Sequence, residues 1–99
     1  MNRTFEIRPA AELEFDEASD WYNGEDPAVR DRFIASVDTR ISAIIQKPLA
    51  FPVVEGTKIR RAVVDGFPYS LFFVLDGNHV VILSIFHTSR NPMIWRARV

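Results

Sequence analysis

Apolar and polar positions along this chain follow first an alternating, then a helical, then again an extended rhythm. Between Thr4 and Arg8 they alternate, with Phe5 and Ile7 on one side and Glu6 on the other. That predicts a short strand with one buried face. Pro9 ends it, because proline has no N–H for a strand ladder. From Ala10 to Asn23 the repeat is helical: Ala11, Phe15, Ala18 and Tyr22 form one stripe, and Glu12, Asp16 and Asp20 point elsewhere. Leu13 and Trp21 widen the apolar surface, and Asn23-Gly24 is the expected stop. Asp26-Pro27 predicts a second start, since aspartate caps the free N–H groups of a first turn and proline is preset for its first position. Val29, Phe33, Val37, Ile41, Ile44 and Ile45 then recur at helical spacing up to Gln46, and Pro48 prevents continuation. The connection is short, so the two helices are expected as an antiparallel hairpin.

After Pro52, three runs rich in β-branched and aromatic residues predict strands over Lys58–Val64, Tyr69–Leu75 and His79–Phe86. Asp65-Gly66 and Asp76-Gly77-Asn78 separate them as hairpin turns. This meander should carry one face of the core, with its other face partly wet. His87 to Val99 reads as irregular chain or a short helical turn. The order is β-α-α-β-β-β plus a basic tail, an α+β fold with a helical hairpin packed on an antiparallel sheet. No repeat or linker divides it, so a single domain over residues 1–99 is expected.

Composition changes this picture in two ways. The chain has no cysteine, which removes disulfides, thiolate catalysis and cysteine-bound zinc, and fits a reducing cytoplasm. No apolar run reaches signal-peptide or membrane-spanning length, so no membrane role is expected. The formal net charge is −1 but is unevenly placed. Met1 to Asp31 holds nine acidic and three basic residues, whereas Arg32 to Val99 holds four acidic and nine basic. A solvated acidic helix accounts for the first half; the arginines of the second half suggest a working surface.

Several elements recur together as a pattern. The first helix carries Ala11-Glu12-x-Glu14, Glu17-Ala18 and Trp21-Tyr22. The second carries Arg32-Phe33 and is followed by Pro48 and Phe51-Pro52. Then come Ile59-Arg60-Arg61, Phe67-Pro68-Tyr69-x-Leu71-x-Phe73 and Val80-Val81-Ile82-Leu83. The chain closes on Phe86-His87-x-x-Arg90-x-Pro92-x-x-Trp95-x-x-Arg98. From Phe5 to Arg98 the chain resembles the ParE-like plasmid-stabilisation toxins of the RelE/ParE superfamily. The resemblance implies the toxin of a type II toxin–antitoxin system, partnered and neutralised by a small ParD-like antitoxin in a hetero-oligomer. It implies DNA gyrase as the target and binding rather than chemistry as the mode. RelE-like cleavage of messenger RNA on the ribosome is the alternative, and a non-toxic antitoxin-binding relative is the third.

Arg60 and Arg61 are adjacent on a strand and so point to opposite faces. One contacts an anion, from RNA phosphate, antitoxin or target, or both serve as surface charge with one structural ion pair. Arg90, Trp95, Arg96 and Arg98 make a basic, aromatic end suited to a partner or target interface. Alternatively, Trp95 folds back and caps the core. If the protein cleaves RNA, His87, Arg61 and Arg90 are the catalytic candidates, because imidazole moves protons near neutral pH. The simpler reading of His87 is a hydrogen bond that holds the tail. His79, in a hairpin turn, is given no role. Trp21, Tyr22, Phe33, Phe72, Phe73 and Phe86 read as core, and Tyr69 as a packed tyrosine or one exposed near Arg61. The pattern calls for no cofactor: there is no metal-ligand spacing, Gly-rich phosphate loop or nucleophile elbow.

Overall fold

A computed structural model describes residues 3–98. Strand β1 (Thr4–Ile7) leads into helix α1 (Pro9–Glu25) and helix α2 (Pro27–Gln46). A 3-10 turn (Pro48–Ala50) precedes β2 (Arg60–Val63), β3 (Tyr69–Asp76) and β4 (His79–His87), and a single helical turn, α3 (Met93–Arg96), closes the chain. Pro9 does more than stop β1. It occupies the first turn of α1, where its missing N–H would have had no partner in any case.

Helix α1 runs through Asn23-Gly24, past the expected stop, and the two helices are separated by Asp26 alone. Asp26 serves both: its N–H donates to Tyr22 O at 2.8 Å, and its carboxylate accepts from Ala28 N at 2.9 Å. Two helix ends satisfied by one residue outweigh the roughly 1 kcal/mol that a helical glycine costs. On α1 the buried stripe is Ala11, Glu14, Ala18, Ser19 and Tyr22. Trp21, expected in the core, is 62% exposed. It lies about 100° around the helix from Tyr22, which takes the inward position. Leu13 is exposed as well.

The sheet order is β1-β4-β3-β2. The β2–β3 and β3–β4 pairs are antiparallel, but β1 joins β4 in parallel, Thr4 opposite His79 through Ile7 opposite Ile82, so the sheet is mixed rather than antiparallel. A parallel pair requires a long crossover, and the helical hairpin with β2 and β3 supplies one. Strand β2 is shorter than expected, because residues around Val53 fold back on it: Val54 N donates to Ile59 O and Arg61 N to Pro52 O. The β3–β4 register slips between Phe72 and Phe73, whose partners are Ser84 and Ile82, leaving Leu83 as the bulged residue.

Two apolar clusters result. The larger lies between helices and sheet and contains Phe33, Val37, Ile44, Leu71, Phe73, Val80, Ile82 and Ile85. The opposite sheet face, expected to be partly wet, carries a second cluster of Ile59, Phe72, Val81, Leu83, Phe86 and Trp95. The tail provides its cover.

Candidate partner-binding surface

The tail is set by how β4 ends. Thr88 N donates to Pro68 O at 2.9 Å, and Arg90 N donates to His87 O at 3.1 Å, so the chain turns across the end of β3. Asn91 then accepts from Met93 N at 3.0 Å through its side chain, starting α3. That turn lays the Trp95 indole on the Phe72 ring, with centroids 3.9 Å apart and planes within 12°. Trp95 is 4% exposed. The idea of an exposed tryptophan anchor is therefore corrected: the indole belongs to the second core, because Phe72, Phe86 and Leu83 offer it an apolar seat.

Beyond Ile82, β1 has ended and the edge of β4 has no strand beside it. A side chain that the sequence pattern includes but to which it gives no role fills the gap. The Glu14 side chain, 8% exposed, accepts from Ile85 N at 3.3 Å and Ser84 Oγ at 2.9 Å. It also accepts from Arg98 Nη1 at 2.8 Å and Arg90 Nη1 at 3.2 Å. Arg98 Nη1 further donates to Leu83 O at 3.0 Å, on the bulge. A buried carboxylate requires such partners. The signal was available: Glu14 lies three residues after Ala11 and four before Ala18, inside the apolar stripe rather than beside it.

The arginines thus divide. Arg60 and Arg61 diverge as alternation requires. Arg60, half-buried, donates to Phe51 O at 2.7 Å and fastens the segment after α2. Arg61, opposite Phe72 in register, is exposed, and its Nε donates to Ser70 Oγ at 3.2 Å. Arg98 holds the tail to Glu14. Arg90 touches the same carboxylate yet stays 46% exposed, with its guanidinium 4.9 Å over the Phe86 ring. Arg96 is exposed and lies 5.3 Å over Trp95.

Besides a hollow it shares with Glu14, Glu17 and His87, two further hollows meet at Arg90. One, of about 210 Å³, has Phe72, Phe86 and Trp95 beneath it and Arg61, Thr88 and Arg90 around it. The other, of about 380 Å³, is lined by Trp21, Tyr69, His87 and Arg90 among others. His87 and Arg61 do not share a hollow. His87 Nδ1 accepts from Ser89 N at 3.1 Å and lies 2.7 Å from Ser89 Oγ, a bond that shapes the first turn of the tail. Its ring stands edge-on to Tyr69, centroids 5.0 Å apart. Tyr69 is half-buried against Tyr22 and Phe33. Burial pushes its hydroxyl above the ordinary tyrosine range; Tyr22 adds to that and Arg90 opposes it. His79, given no role by sequence, ties β1 to β4: its Nδ1 is 2.7 Å from Thr4 Oγ1 and its Nε2 is 2.9 Å from Glu6 Oε1.

Among the described residues no group of three or more histidine, aspartate or glutamate side chains is placed to hold a metal ion, and no helix is long and apolar enough to cross a membrane. The site is one of arginines, rings and a few hydroxyls, suited to holding an anionic partner against an apolar floor.

Comparison with known proteins agrees with this architecture. The model of the family described as "ParE toxin of type II toxin-antitoxin system, parDE" matches residues 5–92. A solved chain from the "Chromosomal ParDE TA system from P. aeruginosa" superposes with a TM-score of 0.78 at 17% identity, covering 88% of this chain and 97% of that one. At that identity the likeness speaks for the fold. No curated protein sequence matches. With the family model spanning all but the chain's ends, the protein belongs to the ParE toxins of type II toxin–antitoxin systems.

Proposed function

We infer that this toxin acts by binding, without chemistry of its own, that DNA gyrase is what it holds, and that a cognate ParD-like antitoxin neutralises it in the cytoplasm. One observation carries the preference for binding over cleavage: the groups that RNA cleavage would recruit are engaged or apart. Cleavage through the 2′-hydroxyl needs an acid, a base and cations gathered around one phosphate. Here Arg98 and Arg90 share Glu14, His87 Nδ1 is taken by Ser89, and Arg61 lines a different hollow from His87. What remains outward is a surface formed by Arg61, Arg90 and Arg96, with Trp95 and Arg98 holding the tail beneath it, while Arg60 serves the other face.

A second reading has its own support. His87, Arg90 and Tyr69 line one hollow, which puts a proton-transfer group beside a cation. The deciding experiment runs the purified protein with gyrase and relaxed plasmid, and in parallel with ribosomes translating a defined message. Lost supercoiling with intact message is the expected result. Cut message with normal supercoiling would move the function to RNA cleavage, with His87, Arg61 and Arg90 as its candidates. If neither changes, a non-toxic antitoxin-binding relative is the reading left.

A further inference from the structure

We propose that the hollow between Arg61 and Arg90 seats one apolar side chain of the antitoxin, with a carboxylate next to it held by the two guanidinium groups. The proposal rests on the antitoxin reading above and adds the place and the chemistry of the contact.

Size comes first. At about 210 Å³ the hollow is smaller than the roughly 300 Å³ at which cofactor and drug-sized sites begin. It has room for one side chain of a docked segment. Its floor selects an apolar one: Phe72, Phe86 and Trp95 are all within 6% of full burial and expose only small apolar patches. No ring face lies open for a nucleobase to stack on, which sets nucleic acid aside as the occupant.

The rim selects the charge. Arg61 forms no ion pair among the described residues, and its Nε is fixed by Ser70 Oγ, itself 1% exposed. Arg90 is braced on the Phe86 ring and on Glu14. Glu14 is shared with Arg98, so two arginines answer one carboxylate and the cluster keeps a positive charge. Both rim arginines are thus held before a partner arrives, which lowers the ordering cost of binding. An arginine fork is matched by a carboxylate, and a carboxylate adjoining an apolar side chain is what an acidic segment that folds on binding presents.

The test titrates the purified chain calorimetrically with the protein encoded by the adjoining gene. Wild type is compared with Arg61→Ala, which empties half the rim, with Thr88→Trp, which plugs the hollow, and with Arg30→Ala, which removes an exposed charge on α2. Thermal melts accompany each. Arg61→Ala and Thr88→Trp are each expected to weaken binding by about tenfold or more, as loss of a central interface anchor does, and Arg30→Ala by less than about twofold. If Thr88→Trp melts early, Arg61→Ala alone decides. Wild-type binding that Arg61→Ala leaves intact overturns the hollow and spares the antitoxin reading. No binding by wild type overturns both.

Discussion

Glu14 Oε1 and Arg98 Nη1 meet at 2.8 Å although 84 positions separate the two residues in the chain. The pair ties the first helix to the last described residue across the edge of β4. Removing one partner from a buried ion pair costs about 3–5 kcal/mol, whereas an exposed pair contributes at most about 1 kcal/mol. Glu14→Ala is therefore expected to destabilise by about 3 kcal/mol in urea denaturation, with Arg98→Ala somewhat less harmful. Arg90→Ala, acting on the half-exposed member, should cost under about 1 kcal/mol. Equal losses for Glu14→Ala and Arg90→Ala would show that the carboxylate is not the hub.

The two tryptophans report opposite environments. Trp21 is 62% exposed and Trp95 is 4% exposed. Trp21→Phe should leave a blue-shifted emission that iodide quenches poorly, and Trp95→Phe should leave a red-shifted, readily quenched one. Similar quenching in both variants would mean that the tail does not lie on Phe72.

Phe33 has no exposed surface and touches Phe15, Tyr22, Phe67 and Tyr69. Phe33→Ala is expected to cost about 3–5 kcal/mol, through lost burial and the cavity left behind. A loss well under 1 kcal/mol in chemical denaturation would contradict this packing.

Two pH effects follow from ionisation. Glu6 is held below the usual carboxylate range, first by its hydrogen bond to His79, which outweighs the opposing effect of desolvation, and then by the weaker pulls of the Arg8 and His79 charges. A depressed carboxylate stabilises the fold above its unfolded value and loses that contribution as pH falls through its folded value. Amide protection in β1, relative to the intrinsic exchange rate at each pH, should therefore fall in acid before the rest of the sheet responds, and Glu6→Gln should remove the difference. Tyr22 and Tyr69, the chain's two tyrosines, are both raised by burial. Stability tied to them is complete below about pH 10 and is lost as pH rises from there toward their folded values. Phenolate absorbance should then appear later in the folded protein than in urea. Coincident curves would place both hydroxyls in water.

Local rules made most of the architecture legible. Asp26-Pro27 named the start of α2 and Asp76-Gly77 a hairpin, since caps and tight turns depend on neighbours. Non-local partners were not legible. The pairing of β1 with β4 leaves no mark on the alternation of Phe5 and Ile7, which reads the same in parallel or antiparallel register. Trp95 flanked by charges looked equally suited to solvent and core, and only the second cluster beneath it decided. Arg98 resembled a surface arginine because its carboxylate lies on another element.

The position of β4 has a consequence in time. Strand β1 and helix α1 precede β4 by many residues in the chain, yet both close onto it, and the tail packs on the same strand. Strand β1 thus has no sheet to join until β4 is in place, as in any topology ruled by distant contacts. The β3–β4 hairpin can form from neighbours in the chain, whereas closing β1 and α1 onto β4 is a slower, later step of folding.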